Sequence, residues 1–524
     1  MKIIRNTNLV CLFLLLISTA AFSQKSVFHV LNEEKILGKK LTDNSDIKGQ
    51  EYIFPDRIHE FFMDATTNLL TVQLRGLSKN GKWLNNTGNI LQYDIKNKKL
   101  LWSKKLSYQT NRIQQIGKSI IYTAGNTSYC LDVYTGNTLW ETKHNIYFLD
   151  PINNVALGYK NKSLKRFSNE LEGIDLYNGE VIWDMELNRE NGWNDAFYIN
   201  DSTLIVIADG LHSININTGD GWDYTAITTE KDYSKVAVAN AIGIGLGILT
   251  GTFVITTGYD VVRDLISNTL VDDEFIYFAS KEEIVKINKQ SGEVIWEYPQ
   301  PQGMASKSSL LMDDSVVYLI NKGYAFLGNK QVNFGKTFIA AFDKQTGKQK
   351  YLSWINVKNN PVLSSQLLDN AICLIHKDKI TKYNKETGGQ IIESNILLKD
   401  PNVGELKHFV GDRVFITDSN DDLLCLAQSD STKIFVYTSQ NKIILFDNLL
   451  NITDTIEHKD VSINYLHTKK YNFFTKGGKT LIVNNEKKKI AEVEISLNAF
   501  IIDNVLYDKQ DRSFVVIDLE ELIP

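Results

Sequence analysis

One phrase recurs along this chain and limits what it can fold into: an apolar residue, Asp or Asn, three variable positions, Gly, three further positions, then Trp or another large apolar residue. Asp132, Gly136 and Trp140 fit it, as do Asp175, Gly179 and Trp183, and Asn288, Gly292 and Trp296. Asp343, Gly347 and Tyr351 keep the spacing with tyrosine, and Asn384, Gly388 and Ile392 keep it with isoleucine. Asp94 and Trp102 flank Lys98 in the glycine place, whereas Asn215 and Gly219 are followed by Trp222 one residue early. The chemistry is that of a tight turn. The Asp or Asn oxygen accepts hydrogen bonds from amides just ahead of it, and glycine supplies a positive φ without a Cβ clash. After the turn, Val181, Trp183, Met185 and Leu187 alternate with Ile182, Asp184 and Glu186, which is the period of a strand. The tryptophans are therefore expected to pack against a neighbouring sheet.

Ahead of most copies stands an apolar strand opened by an Asp, Asn or Gly turn, as in "LVDDEFIYFAS", "LMDDSVVYLI" and "LLDNAICLIH". Each repeat thus reads as a meander of about four short strands. The turn-opening residues step by 38, 43, 40, 73, 55 and 41 residues, and the regular steps match the ~40 to 45 residues of a propeller blade. The two long steps mark insertions. Four-stranded antiparallel units cannot bury both faces alone, so they are expected to stack radially into a ring. The sequence predicts an all-β fold, a β-propeller of eight blades of four antiparallel strands, with seven as the alternative. Strands near "FFMDATTNLLTVQLRG" and the terminal "SFVVIDLEEL" are expected to share the blade that closes the ring.

The remaining features bound the function. Lys2 and Arg5 precede an apolar run, and Ala21 and Ser23 stand before Gln24, the pattern of a secretory signal peptide over 1–23. Residues 24–524 are then one propeller domain, periplasmic or extracellular, with an apolar insertion at about 225–265. The net charge of -5 and the dispersed lysines give no basic patch for nucleic acid. Cys130, Cys373 and Cys425 are too widely spaced for a disulfide framework and read as buried thiols, with room for one pair. His144, His212, His376 and His408 show no metal-ligand pairing, and the doublets Asp272–Asp273, Asp313–Asp314 and Asp421–Asp422 read as solvated turns.

With the phrase written as D-x-x-T/S-G-x-x-x-W, the chain resembles the pyrroloquinoline-quinone-like propeller repeat family; "LDVYTGNTLW", "INKQSGEVIW" and "FDKQTGKQKY" carry the resemblance, strongly over 85–400. That family includes quinone-dependent dehydrogenases and non-catalytic propellers of outer-membrane assembly. The dehydrogenases share an adjacent cysteine pair beside the quinone, a calcium site and an aspartate base; this chain has no adjacent cysteine pair. The expectation is a non-catalytic binding or assembly scaffold with an envelope protein as partner, no cofactor, no metal and no catalytic residues. The alternatives are a quinone-dependent dehydrogenase and an envelope sensor or ligand-binding propeller.

No charge appears from Val236 to Tyr259, and Ala239, Gly243, Gly247 and Gly251 recur every four residues. A single membrane span there would divide the ring between two sides of a bilayer. A buried insertion, a docking surface and a shallow peripheral membrane contact are the three readings of this stretch.

Overall fold

A computed structural model describes residues 29–522, apart from 65–66, 108–110, 117–118, 125–126, 151, 161–167, 189–191, 233–259, 328, 357–359, 411–413, 418–422, 426–428, 431, 458–460, 477–478 and 487. The expected signal peptide over 1–23 and the stretch 236–259 lie outside the described residues, as do Asp421 and Asp422.

The chain is all-β, a β-propeller of antiparallel sheets with almost no helix. Nine four-stranded sheets and one eleven-stranded sheet form among the described residues. Most sheets are simple meanders, such as His144–Asp150, Val155–Lys160, Glu170–Asp175 and Val181–Glu186. The first strand of each tends to be only partly buried, the middle two are buried almost throughout, and the fourth alternates. Continuous apolar runs such as "TLIVI" are what a strand needs when both faces are covered.

Apolar clusters join each sheet to the next. Val155, Leu157 and Leu171 pack on Leu204, Val206 and Ile214 of the following sheet, and Tyr277 and Ile284 pack on Leu310 and Leu319 in the same way. The ends of the chain meet. Strand Asp46–Ile53 pairs with Ser513–Asp518 in register Gln50↔Val516 to Ile53↔Ser513, and Tyr507 and Phe514 pack on Leu70 and Leu91. The N-terminal partner differs from the sequence expectation. Residues 58–74 build a sheet of their own with Thr87–Asp94 and Lys99–Ser107, and the closing strand lies upstream of them. That upstream segment lacks the turn phrase, so repeat spacing could not register it. Strand Leu31–Lys40 then bridges two sheets, pairing with Asp46–Ile53 and, through Gly38–Lys40, with Ala491–Val493. The backbones approach so closely that a Cβ on Gly38 would clash with the Glu492 carbonyl.

The two long steps in the repeat rhythm prove to be one structure. Strands Glu230–Asp232 and Asp260–Arg263 come from the first insertion, Tyr324–Leu327 and Lys330–Asn333 from the second. They join in a single four-stranded sheet through Val262↔Leu327 and Arg263↔Phe326. Asp232 pairs with Asp260, so the chain leaves and re-enters beside the same point on either side of 233–259. Among the described residues no helix is long and apolar enough to cross a membrane.

Candidate functional site

Each repeated turn is built as its residue types require. Asp132 Oδ1 accepts from the amides of Tyr134 and Thr135, at 3.1 and 2.7 Å, and from the Thr135 hydroxyl. Asp343 does the same with Gln345 and Thr346, and Asn288 and Asn384 each take two amides. Asp94 accepts from Asn97, Asp175 from Tyr177 and Asn215 from Asn217. The glycines sit at positive φ, 77° at Gly179 and 73° at Gly292, with Gly136, Gly219, Gly347 and Gly388 alike. Lys98 adopts 52° in the copy that lacks glycine.

The turns are also docking platforms. A Cβ on Gly179 would lie 2.7 Å from the Trp140 ring, one on Gly219 2.7 Å from Trp183, and one on Gly347 2.6 Å from Trp296. Each ring thus lies beneath the turn of the next sheet. Its polar edge completes the joint: Trp102, Trp140, Trp183, Trp222 and Trp296 donate from Nε1 to the carbonyls of Val133, Leu176, Ile216, Lys289 and Lys344, and the Tyr351 hydroxyl donates to Lys385. The acceptor is always the residue after the turn Asp or Asn. Ile392 cannot donate, and there Lys382 does so instead, reaching the Asn448 carbonyl at 2.8 Å just beyond Asp447. Trp222 comes early for a simple reason. Elsewhere a β-bulge precedes the aromatic, as between Gly173 and Ile174 opposite Trp183 and Val181, whereas strand Asp223–Thr225 pairs with no register shift.

Sequence reasoning missed a lysine that follows the turn residue in "INKQSG", "FDKQTG" and "YNKETG". Lys344 and Lys385 reach back to Asp272 and Asp313 of the preceding sheet at 3.2 and 3.1 Å, and Lys289 reaches the Asp272 carbonyl. The first two acidic doublets are therefore partly consumed in inter-sheet ion pairs, a correction to their reading as merely solvated turns. Burial works against charge on Asp272, but the amides of Phe275 and Glu274 together with Lys344 outweigh it and hold its carboxyl below the usual range.

Because the bulge turns the residue before each aromatic outward, apolar side chains reach the surface beside the docking joints. Leu139 and Ile182 are bulge residues and are exposed. Tyr177, 75 % exposed, and Tyr134 stand two places into the turns above Trp140 and Trp102. Val181 adds to the same rim. Leu139 and Tyr177 belong to the Trp140 joint, Tyr134 to the Trp102 joint before it and Ile182 to the Trp183 joint after it, so these exposed side chains run along successive joints of sheets 111–142 and 144–186.

The ionisable groups elsewhere are held structurally. His144 meets Thr142 Oγ1 at 2.6 Å and Glu172 on its other nitrogen, and Lys160 pairs with Glu172 and Glu170. His212 lies between Asp223 and Asp209, at 2.7 and 3.1 Å. Burial lowers its pKa, but both carboxylates outweigh that and the net shift is upward. His376 donates to the Asn360 carbonyl, and burial lowers its pKa, as it does that of His408. Cys130 and Cys373 are free and buried, their thiols pushed up to about 11 and about 12 by burial; Cys425 ends strand Leu423–Cys425. Among the described residues, no group of three or more His, Cys, Asp or Glu side chains could hold a metal ion.

Meandering four-stranded sheets locked by an aromatic under each following turn define the chain as a β-propeller. Residues 80–257 match the family model described as outer membrane protein assembly factor BamB. No curated protein matches the chain. Among solved structures, BamB from Moraxella catarrhalis is 14 % identical, covering 78 % of this chain and 96 % of its own, with a TM-score of 0.31. The dihydro-haem d1 dehydrogenase NirN is 12 % identical over 78 % of this chain and 77 % of its own, TM-score 0.31, and a europium-containing methanol dehydrogenase 10 % over 73 % and 84 %, TM-score 0.26. At these scores the likenesses carry no weight for function.

Proposed function

We propose that this propeller is a secreted, periplasmic, non-catalytic scaffold that binds a protein partner in the cell envelope, with its signal peptide removed before Gln24. The observation that carries the reading is the exposed rim of Tyr134, Leu139, Tyr177, Val181 and Ile182. Tyrosine and aliphatic side chains at the surface of a rigid, pre-formed sheet are what a protein interface uses as anchors. The rim lies wholly within the segment matched by the assembly-factor model, and that description supports an assembly role. In place of eight blades we read ten consecutive four-stranded units as the ring, because apolar clusters run from sheet to sheet around it. The sheet made by the two insertions stands outside that count.

The test is a photo-crosslinking residue placed at Tyr177 in intact cells, with a control at exposed Asp454, followed by mass spectrometry. A discrete envelope protein captured at 177 and not at 454, and lost with Ile182→Glu at unchanged melting temperature, is expected. Purified protein carrying a bound quinone, seen by absorption and mass spectrometry, would instead place it with the dehydrogenases.

A further inference from the structure

The second insertion does more than extend a sheet. Its hairpin, Tyr324–Leu327 with Lys330–Asn333, rises between Val316–Asn321 and Phe338–Asp343, two strands that otherwise pair directly. On the other side of the resulting hollow stand Trp354, Ile355 and Asn356 at the end of strand Gln349–Trp354, with Asn360 and Pro361. Between them lies a cavity of 610 Å³, within the size range of small-molecule sites.

The equivalent position of the preceding sheet, at Pro299 and Gln300, holds a smaller cavity of 220 Å³ with no tryptophan in its lining. The residue after the outer strand closes each sheet by donating its amide: Leu187 to the Asn169 carbonyl, Gln300 to Glu282, Ile396 to Asp378, and Ile355 to Thr337 here. The residue before it is Glu186, Pro299 or Asn395, but in this sheet it is Trp354. Five of the eight tryptophans are spent in docking joints, and Trp193 donates to the Tyr159 hydroxyl. Trp354 is 49 % exposed, steadied edge-to-face on Phe338 at 5.4 Å, and forms a wall of the cavity. Asn333, Asn356, Thr337 and Lys336 also line it, and no carboxylate does so among the described residues. The Asn360 side chain is held by Asp378 at 2.5 Å and by the Lys377 amide.

We propose that this cavity binds a short acidic saccharide. The flat indole offers an apolar face to the C–H face of a sugar ring, the amides and hydroxyl can donate to and accept from its hydroxyls, and Lys336 supplies the charge for a carboxylate. Lys322, beside Gly323 of the lining, has its pKa lowered to about 8, chiefly by burial and then by Lys307, which is itself paired with Asp264 at 3.0 Å. The site is independent of the protein-binding rim, which lies on sheets 111–142 and 144–186.

Calorimetry and tryptophan fluorescence with trigalacturonic acid and the neutral maltotriose test the assignment on the full mature chain. Trigalacturonic acid is expected to bind with a Kd near or below about 1 mM, at least tenfold more tightly than maltotriose. Trp354→Ala is expected to weaken it tenfold or more, and Lys336→Met to abolish the preference over maltotriose. Asn356→Ala, an exposed change that leaves Trp354 in place, is expected to weaken binding at unchanged melting temperature. Absence of binding at about 10 mM, equal affinity for the two probes, or binding indifferent to both Trp354→Ala and Asn356→Ala overturns the proposal.

Discussion

At the scale of the residue, the joint between sheets is a side-chain donor reaching one carbonyl, and the chain uses three side-chain types to supply it. Tryptophan does so five times and tyrosine once, Lys286 joins Trp296 on the Lys344 carbonyl, and Lys382 acts without an aromatic where that place holds Ile392. The substitution makes physical sense because Lys382 lies directly opposite Ile392 in the strand pair, so its ammonium leaves the same spot on the sheet. Its aliphatic stem is buried while the charged end finds the Asn448 carbonyl. Lys382→Met keeps the stem and removes the donor, and should cost about 1.5 to 3 kcal/mol, the worth of one hydrogen bond to a charged group. Adding Ile392→Trp to that variant should restore part of the loss, because an indole N–H would again face the next turn. Denaturant unfolding of the single and double variants measures both effects. Equal midpoints for wild type and Lys382→Met would show that the carbonyl is indifferent to its donor.

At the scale of the element, the sheet 195–225 is the one copy without a bulge, and it also carries the histidine held by two carboxylates. Asp209 and Asp223 outweigh the effect of burial and raise the His212 pKa above its ordinary value of about 6.5. Stability from this group is therefore complete below about pH 6.5 and is lost as the pH rises through the folded-state value. His212→Gln should destabilise the protein most near about pH 5.5 and least near about pH 9; melting temperatures across that range check the trend, and a gap that widens with pH would reverse the assignment. The sheet also shows where sequence reading succeeds and where it stops. Asn215, Gly219 and the early Trp222 revealed a repeat of altered length, since a turn phrase is local chemistry. That the lost residue is the bulge needed the pairing of His212 with Asp223. Lys344, Lys385 and Lys382 stayed hidden because an isolated lysine reads as solvated until its partner on another sheet is known. Ile182 was legible as an outward strand position. The exposure of Val181, read on the same face as Trp183, was not, because it depends on the bulge between them.

At the scale of the whole molecule, the two ends of the chain must find each other before the ring is continuous. Strand Ser513–Asp518 has Val505–Lys509 on one side and Asp46–Ile53 on the other, and Val515 and Ile517 pack beside Phe473 and Ile482 in the same core. Repeat spacing indicated closure but chose the wrong N-terminal strand, since residues 31–53 contain no turn phrase and their strands are defined only by long-range pairing. Removing residues 511–524 would uncover two strand edges at once and open that core, leaving unpaired amides and carbonyls as templates for association. The truncated protein should be insoluble or aggregated. Removing 24–44 instead takes away strand Leu31–Lys40 and leaves Asp46–Ile53 paired with the C-terminal strand. That variant should remain soluble, with a lower unfolding midpoint, because the bridge to Ala491–Val493 is gone while the closure itself persists. Size-exclusion chromatography and circular dichroism on the two truncations separate these roles. A soluble, monomeric 511–524 deletion with native circular dichroism would show that the ring holds without the pairing of its ends.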